Sequence, residues 1–271
     1  MVWSDWIIGL IGASVIAGLA YGKRSLSLSG LFAAVVVGTV LYALGNLAWF
    51  GTLIAFFLSS TVLSKFKQRA KAGVEATYEK SGRRDAGQVF ANGGIAVLLC
   101  IGHYFVPHPA WWAAFIGVMA TVNADTWATE IGGLSKSQPR SILTLKKVPT
   151  GTSGGISTLG TLATMAGGMF IGLCAWLLSI GFDALHVGFG WFLLTGLVAG
   201  TIGSLTDSII GAKWQWMQRC VVCAKDVEAK THCSTPTSAG RGVKWMNNDA
   251  VNLIASVAGG LVAMLLAGYA T

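Results

Sequence analysis

The sequence predicts an all-α fold, a polytopic bundle of about eight transmembrane helices forming a single integral membrane domain over 1–271. Three observations carry that prediction. Hydrophobic residues make up 54% of the 271-residue chain and charged residues only 11%, against roughly 25% charged in soluble domains; the mean hydropathy is +0.64. Apolar runs recur, each long enough for the roughly 20 helical residues that cross a hydrocarbon core of about 30 Å. All nineteen Lys and Arg residues fall in alternate connections between those runs. A soluble enzyme of this composition lacks the charge to cover its surface. The net charge of +8 is dispersed along these connections, so no nucleic-acid partner is expected.

Taken in order, the spans lie at 3–21, 26–44, 46–64, 89–106, 110–131, 156–180, 187–211 and 250–270. The first opens Met-Val-Trp-Ser-Asp, without the basic region of a secretory signal, so it reads as a retained span. The connections after spans 2, 4 and 6 are short and carry no Lys or Arg. Those after spans 1, 3, 5 and 7 carry all of them, and the last three are the loops 65–88, 132–155 and 212–248. The positive-inside rule makes these loops cytoplasmic and puts both termini outside, as expected of a multi-pass protein of the cell membrane. Of the acids, only Asp5 and Asp183 fall on the outer side, while Trp3, Trp6, Trp111, Trp112 and Trp191 near the outer ends suit an interfacial belt.

The return spans share small, polar starts: Ser27-Leu-Ser-Gly30, Ala91-Asn-Gly-Gly94, Gly151-Thr-Ser-Gly-Gly155 and Asn247-Asn-Asp-Ala250. This pattern fits a helical hairpin repeated along the chain, and equally the small residues found wherever membrane helices pack closely. Span 5 carries Asn123, Asp125, Thr126, Thr129 and Glu130. At about 100° per residue, Asn123, Thr126 and Glu130 share one face and Asp125 and Thr129 nearly the opposite one, so this helix is expected at the centre of the bundle. Span 7 gathers Gly200, Thr201, Ser204, Asp207, Ser208 and Gly211 on about a third of its circumference. Span 8 begins with Asn248, Asp249, Asn252 and Ser256 on one stripe, and Ser153, Ser157 and Thr161 open span 6. Such stripes converge on a hydrophilic cavity at the cytoplasmic ends.

A charge at membrane depth costs at least about 2.5–3.5 kcal/mol, so each intramembrane carboxylate asks for a role. One is catalysis or Mg²⁺ binding: Asp125, Asp207, Glu130 and Asp249 are candidate ligands, with Asn123 beside them. The alternative is a salt bridge to loop Lys or Arg, above all for Glu130, and for the hydroxyls simple helix–helix hydrogen bonding. The segment Lys146-Lys147-Val-Pro-Thr150-Gly151-Thr152-Ser153-Gly154-Gly155 runs into span 6. Glycines let successive amides turn toward one anion, and a helix N-terminus adds about half a positive charge. It is not a Walker A loop, because its lysines precede the glycines. Arg83, Arg84, Asn92, Ser204, Asn248 and Asn252 complete a candidate site for polyphosphate and metal.

The segments Asn123-Ala-Asp-Thr-Trp-Ala-Thr-Glu130, Gly151–Gly155, Gly203-Ser-Leu-Thr-Asp-Ser208 and Asn247-Asn-Asp-Ala-Val-Asn252 resemble the membrane family called domain of unknown function 92, which includes chloroplast phytyl-phosphate kinase. The resemblance covers nearly the whole chain. It implies a kinase that moves a phosphoryl group from a nucleoside triphosphate, CTP foremost, onto an isoprenyl monophosphate such as phytyl or geranylgeranyl phosphate, giving the diphosphate. The rival from another class is a transporter for a cation or a phosphorylated solute, since intramembrane acids and glycine-broken helices also mark transport sites.

Finally, Cys220-Val-Val-Cys223 is followed by His232-Cys233 in the last loop. C-x₂-C with a later His-Cys resembles a zinc knuckle, although adjacent His and Cys are awkward ligands for one tetrahedral ion; reduced thiols that merely fold the loop are the alternative.

Overall fold

The computed structural model describes residues 3–80, 82–180 and 188–268. Eight long helices appear: α1 (Trp3–Gly22), α2 (Leu28–Val40, extended by one π-turn over Leu41–Gly45), α3 (Leu47–Lys65), α5 (Ala86–Phe105), α6 (Pro109–Gly132), α7 (Thr158–Ser179), α8 (Phe189–Lys213) and α9 (Asn248–Gly268). A short helix, α4 (Gln68–Glu75), lies within the loop after α3. Asp183, expected on the outer side, and residue 187, the expected start of the seventh span, fall outside the described residues.

Caps set the helix starts. Ser27 accepts the amide of Gly30, Asn46 that of Ala48 and Ser157 that of Gly160, each satisfying an amide that the first turn leaves unpaired. Helix α5 begins three residues ahead of the apolar run because Asp85 and Gln88 form a capping box: Asp85 accepts the Gln88 amide at 2.9 Å and Gln88 accepts the Asp85 amide at 3.2 Å.

Seven of these helices are long and apolar enough to cross a membrane on their own composition. The exception is α6, which is also the most enclosed: its residues Trp112 through Ala124 are all buried, among α3, α5, α7, α8 and α9. A helix so surrounded meets protein on every face, and this lets it carry Asn123, Asp125 and Glu130. Trp112 belongs to this interior, stacked on Phe115 with ring centroids 5.1 Å apart, and not to the interfacial belt.

Two packing regimes meet at α6. Helices α6 to α9 approach closely through glycine: a Cβ on Gly168 would strike the Gly196 carbonyl, and one on Gly196 the Gly168 carbonyl, so only hydrogen fits at that crossing. The hydroxyl of Thr121 bonds back to Gly117 O at 2.9 Å and across to Ala199 O at 3.3 Å. In the first half, α1 packs on α2 and α2 on α5, but α3 turns to α6 and α7 rather than to its successor α5. Three of the four expected hairpins thus pack as pairs, and the second is splayed.

The loops carry short antiparallel ladders: β1 (Arg140–Ser141) with β2 (Gly155–Ile156), then β4 (Asp226–Val227), β3 (Gln218–Arg219) and β7 (Ser238–Ala239) in that spatial order, and β5 (Thr231–His232) with β6 (Thr235–Pro236). The glycine segment therefore reaches α7 through a strand and the Ser157 cap, and Ser153 precedes the helix instead of opening it.

Candidate functional site

All four basic connections meet around one polar cavity of about 850 Å³ at the ends of the helices. It descends between the helices as far as Asn92, Asp125, Thr164, Thr201 and Asn252. Toward the other end of the molecule α6 is closed over by the buried cluster of Trp49, Phe115, Ile116, Met119, Ile171 and Phe192.

Four carboxylates reach the cavity from spanning helices, and they divide into two kinds. Glu130 is occupied on both oxygens: Ser64 donates to one at 2.5 Å, and the buried Lys71 of α4 pairs with the other. Asp249 is held by Lys80 at 2.5 Å, which also reaches Asp85 at 3.1 Å. By contrast, Asp125 and Asp207 have no Lys or Arg partner among the described residues. Among the described residues Asp125 has only a long contact from the Ser204 hydroxyl, 3.4 Å. Asp207 stands one turn further along the same face of α8, and its Oδ2 is buried without any hydrogen-bond partner. A buried carboxylate oxygen with nothing donating to it is costly unless a ligand completes it.

The opposite imbalance stands in the same cavity. Lys23, Arg24, Lys65 and Arg84 line it, and none has a carboxylate partner among the described residues. Arg84 is fixed by Ser60 at 3.0 Å and Thr61 at 3.3 Å, with the Phe56 and Phe57 rings 5.9 and 5.5 Å from its guanidinium carbon. Burial pulls its pKa down, and the field of Glu130 opposes this. Burial also lowers the Lys80 ammonium, but the bonds to Asp249 and Asp85 outweigh it and the net shift is upward. Asp85 shifts down overall, because the Gln88 amide and Lys80 overcome its burial.

The glycine segment forms one wall. Gly151 and Gly154 have φ of +86° and +73°, a left-handed conformation that glycine adopts without strain. Gly154 also sits hard against α8, where a Cβ would lie 2.6 Å from Ser208 O. Thr152 and Gly155 spend their amides on Pro149 and Thr152. The amides of Gly151, Ser153 and Gly154 have no acceptor among the described residues, and unpaired backbone N–H groups of this kind can hold anions. Ser153 donates to Gln215 at 2.6 Å, and Gln215 donates to Glu228 at 2.7 Å. Burial raises the Glu228 carboxyl, with the Gln215 bond partly offsetting it, and burial likewise raises the Tyr78 phenol.

Of the residues expected from sequence, Asp125, Asp207, Glu130, Asp249, Thr150 to Gly155, Arg84, Asn92, Ser204, Asn248 and Asn252 all line this cavity. Lys146, Lys147 and Arg83 are exposed and stand outside it; Lys147 instead bridges Arg140 beside β1. Asn123 is fully buried away from it, accepting from Ser59 at 2.8 Å and donating to Gly167 O at 2.7 Å, so its place is between helices. Sequence reasoning missed Lys71, Lys80, Gln215 and Glu228. No local signal marks the two lysines, whose partners lie 59 and 169 residues away in sequence; the Asp85–Gln88 box was the readable clue.

Helices and cavity together define a multi-pass integral membrane protein with a polar chamber, lined by carboxylates and cations, at its basic end. The chain belongs to the family described as Integral membrane protein DUF92, whose family model matches residues 11–260. It is 33% identical over 266 residues to Protein PGR of Arabidopsis thaliana, covering 92% of this chain and 91% of that one. To Protein VTE6, chloroplastic, of the same plant it is 28% identical over 257 residues, 89% of this chain and 65% of that protein. An uncharacterized membrane protein of Methanocaldococcus jannaschii is 28% identical over 264 residues, 96% of this chain and 93% of the relative. No solved structure matches the chain.

Proposed function

We propose that this protein is a membrane kinase that transfers the terminal phosphoryl group of a nucleoside triphosphate, with CTP as the first donor to try, to an isoprenyl monophosphate. The observation that carries the reading is the double imbalance of the cavity: two carboxylates without a cation, on α6 and α8, face a chamber that also holds four cations without a carboxylate. A divalent metal bound to polyphosphate satisfies both at once. The oxygen donors of Asp125 and Asp207, one of them wholly unpartnered, fit Mg²⁺, which favours carboxylate and phosphate oxygen. When bound there, it would neutralise charge on the transferring group. Glu130 and Asp249, already paired with lysines, order the walls in this reading.

The remaining roles follow from position. Gly151, Ser153 and Gly154 offer their amides to the donor phosphates. Arg84 takes the acceptor phosphate, because Arg84, Gln88 and Asn92 line both the polar cavity and a second, apolar cleft. That cleft, about 60 Å³, lies where α3 and α5 part, walled by Val37, Leu53, Phe56 and Phe57, and it suits the first carbons of an isoprenyl tail. An oxygen of the acceptor monophosphate attacks the terminal phosphorus; a new P–O–P link forms, the old one breaks, and the nucleoside diphosphate leaves. The acceptor oxygen is largely ionised near neutral pH, so positioning and charge neutralisation supply most of the rate. The basic end is cytoplasmic in this reading, by the positive-inside rule. The family resemblance, which includes a phytyl-phosphate kinase, supports the substrate class.

The test is direct. Purified protein is incubated with labelled CTP, ATP, GTP or UTP, Mg²⁺ and a panel of prenyl monophosphates, and the expected product is the prenyl diphosphate. If no donor–acceptor pair turns over while the same preparation carries ion or phosphate flux in liposomes, the kinase reading is overturned in favour of transport.

A further inference from the structure

We propose that Cys220, Cys223, His232 and Cys233 form a zinc site that clamps the loop presenting Glu228 to the cavity. The ligand atoms of these four side chains lie within 4.8 Å of one another. The Sγ atoms of Cys223 and Cys233 are 3.6 and 3.3 Å from His232 Nδ1. Tetrahedral zinc with bonds of about 2.3 Å to sulfur and 2.0–2.1 Å to nitrogen sets its ligand atoms about 3.5–3.8 Å apart. The cluster is thus near the dimensions the ion demands.

The backbone explains how neighbours in sequence reach one point. Successive side chains on a strand point to opposite faces, so His232 and Cys233 ought to diverge. However, Cys233 and Ser234 both take left-handed φ, 51° and 59°, and form the two-residue turn joining β5 to β6. That turn is native to Asn-Gly, not to Cys-Ser. It swings the Cys233 sulfur back onto the imidazole. On the other side, Cys220 and Cys223 flank the turn between β3 and β4, where Ala224 is also left-handed at φ 56°. Strain in two separate turns, each directed at the same point, is what a bound ion stabilises. On binding, three thiols lose their protons to become thiolate ligands and the neutral imidazole donates through Nδ1, so binding releases about three protons.

The site's consequence lies in the segment it closes. Cys223 and His232 bracket residues 224–231, and the middle of that segment is the cavity wall: the Glu228 and Ala229 amides donate to Thr77 O at 2.8 and 3.2 Å, and Glu228 accepts from Gln215. Lys230 pairs with Glu79 at 3.2 Å. A metal holding both ends of the segment fixes Glu228 and, through Gln215, the Ser153 wall.

Metal counting and proteolysis need no turnover, so they test the clamp separately from the kinase reading. Protein purified without immobilised-metal resin is expected to carry about one zinc per chain, and Cys220→Ser/Cys223→Ser protein less than about a tenth of that. Stripping the wild type with a strong chelator should speed protease cleavage within 224–231 about tenfold, and added zinc should reverse this. Wild-type protein that holds no zinc and takes none up from solution would overturn the site, as would a chain mass short by two hydrogens, which marks a disulfide. Zinc that leaves without changing cleavage in 224–231 would overturn the clamp.

Discussion

The two halves of the bundle meet the same cavity under opposite rules. Helices α6 to α9 are locked by glycine, with backbones touching at Gly168 and Gly196, and they contribute the carboxylates that lack a cation. The half from α1 to α5 is looser, with α3 turned away from α5 and an apolar cleft between them, and it contributes Lys23, Arg24, Lys65 and Arg84. A rigid wall is what a small, hard cation needs, because its ligands must hold one geometry. A splayed wall leading to lipid is what a long apolar substrate needs. The division of charge follows the division of packing, and this implies that substitutions in the two halves fail in different ways.

The largest effects belong to the carboxylates. Asp207→Asn and Asp125→Asn should each lower the proposed transfer by about 10³-fold or more while the protein still elutes as a folded species on size exclusion. Full activity in both variants would remove the metal assignment. In the same half, Gly196→Ala should destabilise by about 1–3 kcal/mol, because its Cβ has nowhere to go without moving the Gly168 carbonyl. Gly18→Ala in α1, with nothing within 4 Å of its Cβ position, should stabilise by about 0.5–1 kcal/mol. Thermal midpoints for the pair set a closed glycine crossing against an open helix face; equal losses would mean that the Gly168–Gly196 crossing is no tighter than the open face at Gly18.

Arg84 tests the looser half. Arg84→Gln removes the cation at the junction of cavity and cleft while leaving a donor for Ser60 and Thr61. The KM for lipid phosphate should rise about 10- to 100-fold, the value of a charge-assisted bond, with kcat changed far less. A loss confined to kcat would place Arg84 at the transferring group instead of the acceptor.

Sequence told much of this because membrane insertion writes itself into local composition. Span positions, the one-sided Lys and Arg, the central place of α6 and the position of Asp125, Asp207 and Gly151–Gly155 along the cavity all follow from runs, stripes and motifs. What escaped was set by long-range pairing. Lys71 and Lys80 read as topology markers until the fold brought them to Glu130 and Asp249. Asn123 read as catalytic because a buried amide between helices has the same periodicity as one facing a cavity. Lys146 and Lys147 read as phosphate ligands because sequence adjacency to a glycine loop was taken for spatial adjacency; both are exposed and outside the cavity lining, and the Lys147 backbone pairs with Arg140.

The smallest effect concerns Glu228. Burial raises its carboxyl above the ordinary 4.5, so the folded protein binds that proton more tightly than the unfolded chain does. Stability from this group is therefore greatest below pH 4.5 and falls as pH rises through the window from 4.5 to the raised value, after which it levels. Glu228→Gln keeps the acceptor for Gln215 and removes the ionisation. Thermal midpoints measured from pH 4 to 8 should then coincide with wild type at the acid end and lie above it at neutral pH. A variant less stable than wild type at pH 7.5 would mean that ionised Glu228 is held by a cation. That would set Glu228 beside Asp125 and Asp207 as a carboxylate whose charge the site uses, and the two-carboxylate description of the site would have to grow to include it.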